Sequence, residues 1–167
     1  MTEVSINKQM KLSEHFVLGE LTKTKHVTAD GNIPSHVAIE NLKRICENWL
    51  EDLRYSYNTL YCLEPGEDYE SSKSVEPMII NSGYRSPEVN RLAGGAANSN
   101  HLTGCAVDIR CAGKEQMIRY ASILLDIADG TKQEFDELLL EQHGSVCWLH
   151  FAVRPKDNRR RIAFLKA

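Results

Sequence analysis

Apolar residues recur at three- and four-residue intervals in two long stretches of this chain. They also gather in several short runs bounded by glycine, proline and polar residues. In the first long stretch Ala38, Leu42, Ile45, Trp49 and Leu53 share one face, and Ser35 stands where a helix N-cap is expected. The second predicts a helix over about 114–128 that buries Met117, Ile118, Ala121, Leu124 and Leu125. A short helix after Ser13 would bury Phe16, Val17 and Leu21. Ser86-Pro87-Glu88 reads as a further helix start, with proline at the first helical position, and Gly94-Gly95 as its end. Strands are predicted at 77–81, at 105–109, and at about 135–141 and 147–153, the last two joined by a glycine-containing turn. Period two then places Ala106 and Asp108 on one face of their strand, and Trp148 and His150 on one face of theirs.

Residues 55–76 break the pattern. They are polar and acidic, contain Pro65 and Gly66, and predict a long surface loop. Its tyrosines 57, 61 and 69 are candidates for a cleft wall or for plain solvated positions. The 167 residues suit one domain spanning the chain, and no internal repeat or domain boundary is visible. A net charge of −3 gives no electrostatic reason to expect a nucleic-acid partner. Arg159-Arg160-Arg161 is a local exception, read as a solvated terminal segment. Five cysteines without a CxxC pair predict reduced, mostly buried thiols in a protein made in the cytoplasm. Residues 1–10 are polar and show no signal peptide, and no stretch approaches the roughly 20 apolar residues needed for membrane insertion.

Chemistry concentrates in three residues. His101 lies on a polar, glycine-flanked approach to the 105–109 strand, Asp108 within it, and His150 on the last strand. Two neutral imidazoles and a carboxylate are suitable zinc donors. Three protein ligands leave a position for water, whereas a structural zinc is usually closed by four. Gly104 makes room for the turn between His101 and Asp108. On spacing alone a hydrogen-bonded structural histidine and an Asp108–Arg110 ion pair are the commoner outcome.

Longer motifs narrow this. Ser82-Gly83-Tyr84-Arg85-Ser86, then Asn98 to Gly104 through Ala106-Val107-Asp108, then Trp148-Leu149-His150, resemble the zinc D-Ala-D-Ala carboxypeptidase family. That family includes phage L-alanyl-D-glutamate endolysin peptidases and vancomycin-resistance D,D-dipeptidases. The likeness is to its short, single-domain phage and bacterial branch, through Leu12-Ser13-Glu14-His15-Phe16 and Phe135 to Glu141, and spans nearly all of the chain outside 55–76. The resemblance implies an α+β, hedgehog/D,D-peptidase-like fold, with helices packed on a small antiparallel sheet. It implies Zn2+ held by His101, Asp108 and His150. Arg85 would polarise the scissile carbonyl and stabilise the oxyanion, and Ser99 would help hold the substrate.

The general base is where the chain departs. Many relatives carry a carboxylate three residues before the last histidine, and here that position is Cys147. Glu141 is the first candidate in its place, with Glu137 on the same strand face and His143 as alternatives. The implied reaction is hydrolysis of an amide in peptidoglycan stem or cross-link peptides, by a D,D-carboxypeptidase or an endopeptidase. A phage or prophage endolysin that reaches the cell wall after release would suit it. The rival readings are a catalytically silent zinc-binding module, and a peptidase acting on a non-wall peptide in a cleft shaped by the acidic 55–76 segment. Oligomeric state and the scissile bond stay open.

Overall fold

The computed structural model describes residues 5–166; the first four residues of the polar opening segment lie outside them. Ser35 caps α2 (His36–Ile45), its Oγ accepting the Ala38 N–H at 3.1 Å. The apolar stripe then continues without a break through a π-helical turn, Cys46–Leu50, into α3 (Glu51–Tyr61). The expected loop therefore begins after Tyr61 rather than at residue 55. The reason is Leu53 and Tyr57, which prolong the four-residue repeat and are buried. Near the N-terminus only α1 (Leu18–Leu21) is helical, held by the Glu20 carboxylate accepting the Val17 N–H at 2.9 Å. Phe16 and Leu21 are buried as expected, whereas Val17 is half-buried.

β1 (Ile80–Ser82), β2 (Ala106–Cys111), β3 (Glu137–His143), β4 (Val146–Ala152) and β5 (Arg161–Lys166) form one sheet in the order β1-β2-β4-β3-β5. The architecture is α+β, as expected. The sheet is mixed rather than purely antiparallel, because β5, unexpected from the sequence, runs parallel to β3. α4 (Pro87–Leu92) starts at Ser86 and ends at Ala93, next to the paired glycines. α5 (Lys114–Thr131) returns the chain across the sheet. It buries Met117, Tyr120, Ala121, Ile123, Leu124 and Ala128. Ile118 is exposed, because the buried face of α5 is centred on Met117, Tyr120 and Leu124.

Period two sorts the sheet. Val107, Ile109, Leu138, Leu140, Leu149 and Phe151 face the helices and join the core around Trp49, whose ring meets those of Phe135 and Phe151 edge-on. Tyr57 packs edge-on to Tyr120 in the same core, and Tyr61 lies under the Arg119 guanidinium. Tyr69 packs edge-on against His15. None of these tyrosines lines the cleft that holds His101, Asp108 and His150. All five cysteines are free thiols, and all but Cys62 are buried. No helix among the described residues is long and apolar enough to cross a membrane.

Two details fix the open face of the sheet. Gly104 has φ +72° and lies against α2, where an added Cβ would stand 2.4 Å from the Ala38 carbonyl oxygen. Asp136, fully buried beside the start of β3, accepts from the Arg159 N–H and Nε at 3.1 and 3.0 Å through Oδ1. Its Oδ2 accepts from Arg159 Nη2 and Asn100 Nδ2 at 2.8 Å each. One carboxylate thus ties the β4–β5 connection to the turn that carries His101. Burial alone would raise its pKa, but these bonds outweigh it and lower the value from 3.8 to about 2.

Gly104→Ala combines a left-handed backbone with a carbonyl clash and is expected to cost about 2 kcal/mol or more, read as a lower urea midpoint at unchanged m-value. Asp136 has a folded pKa below its unfolded value, so its stabilisation is present above pH 3.8 and is lost as pH falls through about 2. Acid unfolding of Asp136→Asn is expected to lack that segment of pH dependence, about 2 kcal/mol in the parent protein.

Candidate metal centre

Register builds the centre. Asp108 on β2 stands opposite His150 on β4, and His150 stands opposite Leu139 on β3, so their side chains leave the same face of the sheet. His101 arrives from the 3-10 turn Asn100–Thr103, which Ser99 caps by accepting the His101 N–H at 3.2 Å. Each of the three residues offers a ligand atom within 4.8 Å of the other two, and all three are buried. They lie on the floor of an open cleft of about 680 Å³ whose walls include Arg85, Ser99, Glu137, Glu141 and Trp148.

The hydrogen bonds orient both imidazoles. His101 Nδ1 donates to the Gly83 carbonyl at 2.6 Å, which leaves Nε2 as its lone-pair nitrogen, 3.3 Å from Asp108 Oδ2. Gly83 itself is packed against the end of α1, where a Cβ would lie 2.2 Å from the Leu21 carbonyl oxygen. His150 Nε2 is bound to Glu137 Oε1 at 3.1 Å, and Nδ1 lies 3.0 Å from Asp108 Oδ1. A carboxylate on the far nitrogen of a histidine is the usual outer support of a metal ligand. The donor set, two imidazole nitrogens and one carboxylate with their outer nitrogens engaged, suits a divalent ion of the zinc type.

Three carboxylates share the cleft under different electrostatics. Burial opposes ionisation of Asp108, but His101 and His150 outweigh it and hold the group well below the usual carboxylate range. Glu137 is lowered to about 2, first by its bond to His150, and then by Asn100 Nδ2 at 2.9 Å and Arg161 Nη1 at 3.1 Å. Glu141 is the opposite case. Burial and the Asp108 charge push its pKa up, against weaker contrary effects of His150, Trp148 and His101. Its Oε2 accepts the Trp148 indole N–H at 2.7 Å. Burial raises the His150 desolvation cost, yet Asp108 and Glu137 together lift its pKa to about 9.

Arg85 reaches the cleft with Nε on Ser82 Oγ at 3.0 Å and Nη2 on Asp108 Oδ2 at 3.2 Å. Ser99 lines the cleft while its oxygen caps the turn, so its hydroxyl hydrogen stays free to donate. Cys147 lies an odd number of residues before His150 on a regular strand. It therefore faces the core opposite Cys111, away from the cleft. His143, at the end of β3, is exposed and lies outside the cleft wall. Trp148, Asn100 and the arginines 154, 159 and 161 also line the cleft and are not among the site residues expected from the sequence. For Trp148 the signal was present, since it shares the His150 face; the arginines depend on a strand that was not foreseen. No residue of the 62–76 segment lines it.

A second potential ligand group, Glu14, His15 and Glu70, lies at the surface, with His15 already held by Glu51 at 2.7 Å. Compared with known families, the chain matches the model of the family described as peptidase M15 over residues 14–137, well over half its length. No curated protein matches it significantly.

Proposed function

The chain belongs to the peptidase M15 family, and from that premise we propose that it is a zinc metallopeptidase hydrolysing an amide bond in peptidoglycan stem or cross-link peptides. The observation that carries this reading is the convergence of His101, Asp108 and His150 on the floor of a cleft open to a peptide. The ion would be held by those three side chains. When bound, it supplies a Lewis acid that polarises a scissile carbonyl and makes water acidic enough to attack near neutral pH.

The chain's own residues supply the rest. Glu141 is the proposed general base: it lies in the cleft, and its raised pKa brings it closer to the working pH than an ordinary carboxylate. It takes the proton of the attacking water and returns it to the leaving nitrogen, with the Trp148 N–H fixing one oxygen. Glu137 is poorly suited to that exchange, because hydrogen bonds occupy both its oxygens and favour the ionised form. Its proposed task is to orient His150. Arg85 offers a fixed cation to the oxyanion, and the Ser99 hydroxyl offers a donor to the substrate backbone. Action at the cell wall after release from the cytoplasm, as in an endolysin, completes the reading.

Glu141→Gln is expected to lower turnover of defined muropeptides 10²–10⁴-fold, the usual contribution of a general base, while zinc affinity by calorimetry stays unchanged. Undiminished turnover would remove Glu141 from the role. If zinc-loaded parent protein binds the metal but releases no product detectable by mass spectrometry, a silent metal-binding module becomes the better reading.

A further inference from the structure

The arginine run after β4 is not a solvated tail. Arg159 and Arg161 line the cleft together with Arg154, on the side of His150 away from Asp108. Their pairing is incomplete. Arg154 uses Nε on Asn100 Oδ1 at 2.9 Å, Arg159 uses Nε and Nη2 on Asp136, and Arg161 uses Nη1 on Glu137. Both Nη atoms of Arg154, Nη1 of Arg159, and Nε and Nη2 of Arg161 have no hydrogen-bond partner among the described residues. Three guanidinium groups face two carboxylates, Asp136 and Glu137, so this end of the cleft carries one uncompensated positive charge. Glu141 lies four residues further along β3 than Glu137, about 13 Å away, too far to neutralise it.

We propose that this arginine corner binds a carboxylate of the peptide substrate, set about three residues from the scissile amide. The spacing follows from the sheet. Arg161 is opposite Glu137, two residues along β3 from the Leu139 that faces His150, and β5 lies two strands beyond β4, so the Arg161 backbone is about 12 Å from that of His150. An extended peptide covers that distance in about three residues. The terminal carboxylate released by a carboxypeptidase would lie only one residue from the cut. The corner therefore favours an endopeptidase that reads an internal acidic group. Guanidinium is the side chain best matched to a carboxylate, through paired N–H donors. The inference rests on the proposed peptidase activity and specifies its substrate.

The test compares stem peptides bearing free carboxylates with the same peptides after amidation. Turnover is measured on the zinc-loaded parent, Arg161→Gln and Arg161→Lys proteins. Binding is measured by calorimetry in a Glu141→Gln background. The parent is expected to favour the free carboxylates about tenfold in kcat/KM, mainly through KM. Arg161→Gln should lose that preference and Arg161→Lys should keep part of it. Arg161 also supports Glu137, and a purely structural role would weaken both substrates equally; that result, or a parent indifferent to amidation, overturns the proposal. Should Arg161→Gln fail to fold, Arg154→Gln, which leaves the Glu137 partners intact, carries the same comparison. If nothing is cleaved, the peptidase reading fails, and carboxylate-dependent binding still decides the corner.

Discussion

The pairing of Asp108 with His150 across β2 and β4 is the constraint on which the rest of the centre depends. A slip of one residue on either strand would turn one of these side chains into the core and bring an apolar one to the cleft. The register is held by Val107, Ile109, Leu149 and Phe151, which on the opposite face cannot leave the core around Trp49. Hydrophobic burial on one side of the sheet thus positions charged groups on the other. His101 is added from outside the sheet, through the Ser99 cap, the Gly83 carbonyl and a turn that needs Gly104.

Around that pair the cleft divides its carboxylates by environment. Asp108 and Glu137 are surrounded by donors and stay ionised, whereas Glu141 has one indole N–H and the Asp108 charge against it. In the proposed function these environments suit Asp108 to holding the ion, Glu137 to orienting His150 and Glu141 to proton transfer. Positive charge is placed on both sides, Arg85 beside Asp108 and the arginine corner beyond Glu137. A substrate lying across the sheet would meet cations before and after the reacting centre.

Much of this was legible in the sequence. Ser35, Ser86 and the apolar repeats located α2, α4 and α5, because caps and periodicity are local signals. His101, Asp108 and His150 were singled out by the motifs that surround them, and the structure brings their side chains together. What was hidden was non-local. β5 carries exposed Ile162, Phe164 and Leu165 on an edge strand, and its parallel pairing with β3 leaves no trace in its own pattern. Without that strand the arginines 159–161 at its start read as a tail. Cys147 shows the limit of spacing arguments: an odd offset on a straight strand places it behind the sheet, whatever family position it fills. The step of α3 past residue 55 was readable in Leu53 and Tyr57 but was masked by the polar residues between them.

X-ray absorption at the zinc edge of protein reloaded with one equivalent of zinc reads the ligand shell itself. Two imidazole nitrogens are expected at about 2.0–2.1 Å, with carboxylate and solvent oxygens at about 2.0–2.2 Å. His150→Ala should remove one imidazole from that shell. A first shell containing sulfur, or one unchanged by His150→Ala, would rule out His101, Asp108 and His150 as its ligands.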